Sequence, residues 1–395
     1  MLTYDEALSR VLSHADPLPA EIVSTADAYG RALAEPVVAR EDLPPFDNSA
    51  VDGFALGDVT VGIGEHLRVG TVLAGELPPC AIGAGEAMYV ATGSMVPVGA
   101  SGIVMVEDTY EGDFNSVHAS VPGSPKFIRR AGSDVATGET VLHSGEVVDA
   151  GTVGLLSSLG IMRVSCYARP RVGILSTGNE LVPVTTRVLP HAKIRDSNSH
   201  AIEAAVLAAG GIVTQRLHAP DDKDAIRNAL LSLSRCDVVI TSGGVSVGDA
   251  DFVKGIVEEV GSLDFWRIAI KPGKPLAFGG VGDALFFGLP GNPVSSLVTF
   301  ELFVRPVLRR LAGHRETSRP HITTTLAEPL PHEPGRREFV RARLVYRDGE
   351  AFATTTGAQG SHRISSLVGA NALLIAHEDH SNYEAGEKLP ALLLL

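Results

Sequence analysis

The sequence has few cysteines, no long apolar run and no surplus of positive charge. Cys80, Cys166 and Cys236 lie far apart and form no CxxC pair, which excludes a disulfide framework and a cysteine-ligated zinc site. We predict each to be a small buried apolar residue rather than a nucleophile. No apolar segment reaches membrane-spanning length, and residues 1–12 lack the basic start and apolar core of a signal peptide. The sequence therefore predicts a cytoplasmic protein with no membrane partner.

Acidic residues outnumber basic ones by 46 to 33, which gives a formal net charge of −13. Because non-specific nucleic-acid binding requires a surplus of cations, this balance argues against a nucleic-acid partner. An anionic ligand would have to be held by locally placed lysines and arginines, or through a metal ion. The HExxH, Walker A and GxGxxG patterns are missing and the histidines are scattered, so hydrolysis by a side-chain nucleophile is not expected.

A chain of 395 residues is too long for one hydrophobic core and predicts two to four domains. Residues 3–14 match an amphipathic helix that begins with a capping box, and a second helix is predicted at about residues 25–35. We expect these helices to pack on something distant in the sequence, such as another subunit. The predicted division is a helical domain at residues 1–40 and 140–168, an inserted β domain at 41–139, an α/β domain at 169–313 and a β-barrel or sandwich at 314–395.

Strands and helices alternate after residue 169, which is typical of a doubly wound, mainly parallel α/β sheet. Loops rich in glycine and small polar residues follow three of the predicted strands, at residues 176–180, 241–251 and 288–293. Such loops meet at the carboxyl edge of a parallel sheet, where backbone N–H groups bind anions. Taken alone, residues 241–251 are also compatible with an ordinary βα turn that has a solvated acidic helix start. The convergence of three loops favours a ligand site.

Charged side chains near these loops suggest a phosphorylated ligand. Lys271 and Lys274 lie on a turn framed by prolines, which favours a phosphate or oxyanion clamp over solvated surface. Hard oxygen ligands suited to Mg²⁺ come from Glu180, Asp221, Asp249 and Asp251. Asp221 has an alternative interpretation as the cap of a helix at residues 222–234. The residues alone therefore predict an α/β enzyme or binder for a phosphorylated, nucleotide-bearing ligand with Mg²⁺.

Six segments resemble the MoeA family of molybdopterin molybdenumtransferases, which includes the C-terminal domain of gephyrin. They are PPFDNSAVDGFA (44–55), STGNEL (176–181), TSGGVSVGDADF (241–252), AIKPGKP (269–275), GLPGNPVSS (288–296) and TTTGAQGSH (354–362). The resemblance implies an elongated helical domain interrupted by an inserted β domain, then an α/β molybdopterin-binding domain and a C-terminal β-barrel. It also implies Mg²⁺-dependent insertion of molybdate into adenylylated molybdopterin with release of AMP.

The resemblance also assigns roles to individual residues. Asp52, Thr92, Glu180, Asp251 and Lys271 are the expected catalytic residues, and Asp52, Glu180 and Asp251 are the expected metal ligands. The dithiolene sulfurs of the substrate would be the nucleophiles toward molybdenum. Together with the three loops, the resemblance gives these expected substrate-binding residues: Ser176, Thr177, Gly178, Asp221, Ser242, Gly243, Gly244, Ser246, Lys274, Pro290, Gly291, Asn292, Arg341 and Ser361.

The family pattern implies a head-to-tail homodimer with shared active sites. In that arrangement the inserted β domain of one chain covers the α/β and barrel domains of the other, so Asp52 and Thr92 act in trans. The molybdopterin adenylyltransferase and molybdoenzyme apoproteins are the expected partner proteins. One departure from the pattern is Arg267, where some members have lysine, because a guanidinium forks its hydrogen bonds and an ammonium acts as a point charge.

Two alternative functions stay open on the sequence. A molybdopterin adenylyltransferase has the same α/β fold, but that activity needs only the α/β unit and not the whole chain. A non-catalytic molybdopterin-binding scaffold is the other, although scaffolding alone would not need the carboxylates and lysines. Incubation with adenylylated molybdopterin, molybdate and Mg²⁺, with AMP release as the readout, would separate these functions.

Overall fold

The computed structural model of the chain describes residues 1–244 and 252–394. The first helix starts at the predicted capping box, where the Thr3 hydroxyl oxygen accepts from the Glu6 N–H and the Glu6 carboxylate accepts from the Thr3 N–H. Ala7 and Val11 on its apolar face are buried against the α/β region of the same chain, Leu8 and Leu12 are partly buried there, and Tyr4 packs edge-on against Phe303. The α/β region of the same chain therefore covers much of this face. The N-terminal region begins with α1 (Tyr4–Ser13), β1 (Ala20–Ser24) and β2 (Val37–Val38).

The helix predicted at about residues 25–35 is wrong. Residues 25–30 form turns, and Ala32 and Leu33 form isolated bridges to distant residues. Gly30 has a φ of +77°, outside the helical region, and the Ala34 N–H donates to the carbonyl of Ser165. Pairing with a distant strand therefore satisfies this backbone and overrides the local helical pattern.

An inserted β region follows, with eight short strands. Six of them form one sheet in the order β7-β4-β6-β5-β9-β8, while β3 pairs with β10. Phe54, Leu56 and Val104 are buried on one side of the sheet, and Met88 and Ile103 on the other. The strands are β3 (Asn48–Ser49), β4 (Gly53–Leu56), β5 (Gly64–Val72), β6 (Glu86–Val90), β7 (Gly102–Met105), β8 (Thr109–Glu111), β9 (Ser116–Ala119) and β10 (Ile128–Arg129).

The chain then returns to the N-terminal region with β11 (Thr140–Leu142), α2 (Ala150–Ser158) and β12 (Arg163–Tyr167). β11 pairs with β2 and β12 pairs with β1, both antiparallel. Leu33, Leu156 and Cys166 lie in the shared core of these segments. The two separated pieces of sequence therefore fold together, with short strands where helix was predicted.

The α/β region carries the longest helices and a six-stranded sheet. Its first elements are β13 (Arg171–Thr177), β14 (Leu181–Val182), β15 (Ile194–Arg195), α3 (Asn198–Ala208), β16 (Ile212–Ala219), α4 (Lys223–Leu233), β17 (Val238–Ser242) and α5 (Phe252–Val260). They are followed by β18 (Gly261–Phe265), β19 (Ile270–Lys271), β20 (Ala277–Val281), β21 (Ala284–Leu289), α6 (Pro293–Thr299), a π-helical segment (Phe300–Val304) and α7 (Arg305–Leu311).

The sheet order is β16-β13-β17-β21-β20-β18, in which the first four strands are parallel and the last two antiparallel. Ile174 and Ile240 face the core under α3 and α6, whereas Leu175, Val239 and Phe286 face α4 and α5. The mainly parallel, doubly covered sheet is thus confirmed.

The C-terminal region is a closed five-stranded barrel in the order β23-β24-β22-β26-β25, with β25 returning to β23. β19, from the α/β region, adds a parallel edge to β23. The predicted barrel is therefore confirmed. Its strands are β22 (His321–Leu326), β23 (Arg337–Arg347), β24 (Glu350–Thr355), β25 (Ala372–Ala376) and β26 (Lys388–Leu393).

The structure shows the burial of the three cysteines and the length of the apolar helices. Cys166 and Cys236 are buried as expected, but Cys80 is exposed, because it lies in a loop outside the strands of the inserted sheet. Among the helices that the structure describes, none is long and apolar enough to cross a membrane.

Candidate functional site

Three neighbouring parallel strands of the α/β sheet end side by side. Ser176 of β13 pairs with Ser242 of β17, and Ser242 pairs with Leu289 of β21. The Gly243 N–H donates to the carbonyl of Leu289 over 3.2 Å. The loops after β13 and β21 therefore meet at Gly243 and Gly244, as the sequence predicted.

A pocket of about 90 Å³ opens between these strand ends. Thr177 and Glu180 border it from the first loop, Ser242 and Gly243 from the second, and Gly291 from the third. These residues were all predicted as site residues. Backbone approaches the pocket closely, since a β-carbon on Gly291 would lie 3.6 Å from the α-carbon of Gly243. A ligand in the pocket would contact main-chain atoms of at least two loops.

Asn198 and Asp196 join the three loops, and sequence reasoning missed both. The Asn198 side-chain amide donates to the Ser242 hydroxyl over 2.9 Å and to the carbonyl of Gly291 over 2.7 Å. The Asp196 carboxylate accepts from the Ser176 hydroxyl over 2.7 Å and from the Ser199 N–H over 3.1 Å. The available signal was the polar run Asp-Ser-Asn immediately before α3.

The pKa of Asp196 shifts downward despite its burial. Burial favours the neutral acid, but hydrogen bonds from Ser199 and Ser176 and the nearby His200 outweigh it and lower the pKa. Asp196 is therefore ionised at neutral pH. Its negative charge holds the Ser176 hydroxyl as a donor toward the carboxylate, which fixes the orientation of that side chain at the edge of the pocket.

Asp221 braces the first loop instead of capping a helix. Its carboxylate accepts from the Asn179 N–H over 3.0 Å, and its own N–H donates to the Asn179 side-chain oxygen over 3.2 Å. Asp222 is the cap of α4, because its carboxylate accepts from the Ala225 N–H over 2.8 Å. The interpretation of Asp221 as a helix cap is therefore wrong by one residue. Asp221 holds the loop that carries Gly178 and Glu180.

The ends of the first two strands offer buried hydroxyls, and the second loop has a backbone conformation that favours glycine. The hydroxyls of Thr177 and Thr241 are buried and have no hydrogen-bond partner among the residues the structure describes. Gly244 has a φ of +68°, and a β-carbon there would lie 2.5 Å from a methyl group of Val253. Ser246, Asp249 and Asp251 lie outside the described residues.

Lys271 is held by the barrel. Its ammonium donates to the Glu338 carboxylate over 3.1 Å, while 45% of its side chain stays exposed. Glu338 is buried and also lies 3.1 Å from Nδ1 of His332, whose Nε2 is 2.9 Å from the carbonyl of His377. Lys274 is exposed on the same turn. Sequence reasoning found both lysines but missed Glu338 and His332, which lie in a different region of the chain.

Arg341 is buried in the barrel, whereas Ser361 contacts the start of α6. Arg341 is 1% exposed, and its guanidinium donates to the Ser366 hydroxyl over 3.1 Å and to the carbonyl of Gly360 over 3.4 Å. Its role as a substrate-binding residue stays a prediction. It shapes the barrel loop from inside. Ser361 is half-buried, and its carbonyl accepts from the Val294 N–H over 3.1 Å, beside Pro290, Gly291 and Asn292.

Asp52 and Thr92 lie together in the inserted β region. Both are exposed, and the Thr92 N–H donates to the Asp52 carboxylate over 2.6 Å. Within the described part of a single chain, no hydrogen bond or ion pair links either residue to Glu180 or Lys271. The structure thus brings these two predicted residues to each other and not to the carboxyl edge.

The predicted metal ligands are not assembled in the described part of one chain. Residues 1–244 and 252–394 contain no group of three or more histidine, cysteine, aspartate or glutamate side chains placed to hold a metal ion. Glu180 is exposed at the pocket, Asp52 lies in the inserted region, and Asp251 is outside the described residues. A metal at this edge would need ligands beyond the described residues of one chain.

Three family models match consecutive parts of the chain. The MoeA N-terminal region (domain I and II) matches residues 2–160, the probable molybdopterin binding domain matches 173–310, and the MoeA C-terminal region (domain IV) matches 323–394. These matches lie in the order that the sequence motifs predicted.

Whole proteins are similar over the same length. A molybdopterin molybdenumtransferase of Haemophilus influenzae is 36% identical over 98% of this chain and 97% of its own. Gephyrin of Dictyostelium discoideum is 32% identical over 100% of this chain and 62% of its own length. The crystal structure of the molybdopterin biosynthesis MoeA protein from Pyrococcus horikoshii OT3 covers 100% of both chains at 30% identity, with a TM-score of 0.85.

Proposed function

The chain belongs to the MoeA family of molybdopterin molybdenumtransferases, and from this premise we propose that it inserts molybdate into adenylylated molybdopterin, using Mg²⁺ and releasing AMP. It is a transferase that acts in molybdenum cofactor biosynthesis. The observation that carries the proposal is the meeting of three glycine-bearing strand ends around one pocket. This is where open α/β sheets bind phosphorylated ligands.

The pocket is suited to the phosphate groups of the substrate. Gly243, Gly244 and Gly291 expose backbone without side chains, and the unpaired hydroxyl of Thr177 adds a donor. Backbone N–H groups and hydroxyls bind phosphate oxygens without bringing a second negative charge. Asn198 and Asp221 keep the loops in place before the ligand arrives, so less ordering is needed on binding.

The carboxylates proposed for the site suit an Mg²⁺ ion that is shared with the phosphate oxygens of the substrate. Mg²⁺ usually takes one or two protein carboxylates and completes its shell with water and phosphate oxygens. Glu180 is the described carboxylate that we propose as a ligand, joined by Asp251 and by Asp52 of a second chain. When bound, the ion would polarise the phosphoanhydride and favour departure of AMP.

The cations on the turn that carries Lys271 and Lys274 would bind molybdate. Molybdate and the phosphoanhydride are both anionic, so positive charge must offset their repulsion. Lys271 and Lys274 are exposed at the turn, and Glu338 fixes the ammonium of Lys271 from behind. Arg267 adds a third cation near the start of that turn. Arg341 keeps the loop of Ser361 in position, and the substrate's dithiolene sulfurs act as the nucleophiles.

We further propose a homodimer in which Asp52 and Thr92 complete the site of the partner chain. This is supported by their exposure and by the lack of a link between them and the carboxyl edge within the described chain. Residues 1–40 and 140–168 would form the elongated dimerisation domain, with 41–139 as its insertion, before the α/β domain (169–313) and the barrel (314–395). The protein would act in the cytoplasm, with the molybdopterin adenylyltransferase and molybdoenzyme apoproteins as partners and without nucleic acid.

The test of the reaction is AMP release from adenylylated molybdopterin on addition of molybdate and Mg²⁺. We expect release to depend on both ions and to be lost in Glu180→Gln, while Glu203→Gln, a half-buried carboxylate on α3 that pairs with Arg216, behaves as wild type. AMP release that ignores molybdate would contradict the proposal. ATP-dependent adenylylation of molybdopterin would instead support the alternative adenylyltransferase, and binding without either reaction would support the scaffold.

A further inference from the structure

A second polar cavity lies at the opposite end of α3 from the carboxyl edge. It has a volume of about 400 Å³ and lies between the N-terminal region and the last turns of α3 and α7. Asn198 begins α3 at the carboxyl edge, whereas Ala208 lies at its other end and lines this cavity. Eleven helical residues separate the two places by about 16 Å. The cavity therefore does not belong to the site already described.

The end of α7 places a buried imidazole in the cavity wall. The Gly313 N–H donates to the Arg310 carbonyl over 2.9 Å, and the His314 N–H donates to the Arg309 carbonyl over 3.0 Å. This is the Schellman pattern, in which glycine takes a left-handed conformation, and Gly313 has a φ of +74°. A β-carbon there would lie 1.9 Å from the ring of Tyr167, so only glycine fits. His314, the next residue, is 5% exposed.

Positive charge in this cavity exceeds negative charge. Arg31 is paired with Glu21, but the Arg169 guanidinium donates only to the carbonyls of Gly210 and Gly211, and the Arg309 side chain has no hydrogen bond or ion pair among the described residues. Asp27 is the one carboxylate among the lining residues, and it is exposed. Two guanidinium groups thus lack a counter-charge in a chain whose net charge is −13.

Three buried nitrogens around the cavity are also unpaired. Nδ1 of His314, Nε of Arg309 and Nε of Arg31 have no hydrogen-bond partner among the described residues. Leaving a buried donor unsatisfied costs free energy, and the cost is larger for a charged group. Burial, with Arg309 and Arg305 nearby, lowers the pKa of His314 to about 4, so its ring is neutral at pH 7. Such a ring can donate one hydrogen bond to an anion without adding charge.

We propose that this cavity binds a small molecule that carries a phosphate group. A phosphate offers several strong acceptors at once, which matches two uncompensated guanidinium groups and an unpaired imidazole nitrogen. Tyr29, Leu207 and Val147 form an aromatic and apolar part of the same wall, which gives an organic phosphate a surface that inorganic phosphate cannot use. The size of the cavity is within the range of small-molecule sites.

The test is calorimetric titration of the full chain with inorganic phosphate and, separately, with phenyl phosphate. We expect Arg309→Gln to weaken binding of phosphate about tenfold, since a charge-assisted hydrogen bond contributes about 1.5 kcal/mol. Tighter binding of phenyl phosphate than of phosphate would identify the ligand as an organic phosphate, and equal binding would identify it as the free anion. Both outcomes support an anion site.

Controls separate this cavity from the carboxyl edge. Arg343→Gln removes the same charge from an exposed barrel position and should leave phosphate affinity unchanged. A Gly291→Val background obstructs the carboxyl-edge pocket, so phosphate bound by that variant reports this cavity, and adding Arg309→Gln should weaken that binding by the same factor. His314→Gln provides a second variant, because it removes the ring nitrogen without touching the C-terminal cap of α7. If phosphate binds wild type and both Arg309→Gln and His314→Gln equally well, or binds none of them, the proposal is overturned.

Discussion

The carboxyl edge of the α/β sheet and the Asp52–Thr92 pair differ in how much of their geometry one chain fixes. At the carboxyl edge, Asn198 and Asp196 hydrogen-bond to residues of all three strand ends, so the loops are set before a ligand binds. Asp52 and Thr92 share one hydrogen bond and are otherwise exposed. The carboxyl-edge half of the proposed site is preorganised by hydrogen bonds within one chain. The half that contains Asp52 and Thr92 needs a neighbouring chain to exclude water around it. Substitutions should therefore affect the two halves differently.

The largest expected effect is complementation between two inactive variants. Asp52→Ala and Glu180→Ala should each lose about 10²-fold or more in molybdate-dependent AMP release. If the two halves come from different chains, each mixed dimer regains one intact site. Random exchange makes about half of the dimers mixed, so roughly a quarter of wild-type activity should return.

The mixing experiment needs proof that subunits exchange, for example by native mass spectrometry of differently tagged chains. Asp113→Asn, an exposed aspartate of the same inserted sheet, is the matched control and should retain full activity. If exchange is confirmed but activity does not return, the carboxyl edge and the Asp52–Thr92 pair act within one chain and need no partner.

The next largest effect is expected from Gly291→Val, which would obstruct the pocket at the carboxyl edge. A β-carbon at Gly291 contacts only the Gly243 α-carbon at an ordinary 3.6 Å, so the fold should tolerate it while the ligand does not. Overpacking against a ligand costs about 1–3 kcal/mol, which is roughly a tenfold to hundredfold loss of molybdopterin affinity. Equilibrium titration measures this, and thermal unfolding checks the fold.

Gly154→Val is the control for that substitution. Gly154 is an exposed residue of α2 with open space around its α-carbon, so affinity should stay at the wild-type value. Unchanged affinity in Gly291→Val would mean that the ligand does not use the third strand end.

Asp196→Asn tests the preorganised half through its stability. The hydrogen bonds of Asp196 lower its pKa in the folded chain. The ionised group therefore stabilises the fold at pH values above the pKa of the unfolded chain, which is about 3.9. This stabilisation is lost as the pH falls through the pKa of the folded chain. We expect the variant to lose about 1–3 kcal/mol at pH 7 and to show a shallower decline below pH 4. Urea unfolding across this pH range measures both.

Asp52→Asn gives the contrast to that experiment. The amide oxygen can still accept from the Thr92 N–H, and the side chain is exposed, so unfolding free energy should match wild type while turnover falls. A stability loss as large as that of Asp196→Asn would show that Asp52 is structural.

The smallest effect is expected from Glu338→Gln. Lys271 is 45% exposed and the Glu338 side chain 7%, and the amide oxygen that replaces the carboxylate can still accept from the ammonium. The lost charge should therefore cost about 1 kcal/mol, so KM for molybdate should rise no more than about fivefold with little change in kcat. Glu350→Gln, an exposed carboxylate of β24, should leave KM unchanged. A large loss of kcat would mean that Glu338 takes part in the chemistry directly.

Local sequence signals predicted much of the fold and less of the site. The capping box of α1 and the strand ends at Ser176, Ser242 and Leu289 follow from short-range patterns. The absent helix at residues 25–35 and the contact between Glu338 and Lys271 depend on partners more than sixty residues away, which periodicity does not report. Asp221 shows the limit within a motif, because two adjacent aspartates are equivalent in sequence and only the backbone decides which one caps α4.

β19 connects the barrel to the α/β sheet in a way that matters for protein engineering. Ile270 pairs with Arg337 and Lys271 with Glu338, so two residues of the α/β segment complete an edge of the C-terminal barrel. A truncated chain that starts after residue 313 would expose that edge of β23, and a chimaera with a foreign barrel would lose the carboxylate that holds Lys271. Recombination between relatives should therefore exchange residues 270–271 and 337–338 together, whatever linker is chosen near residue 314.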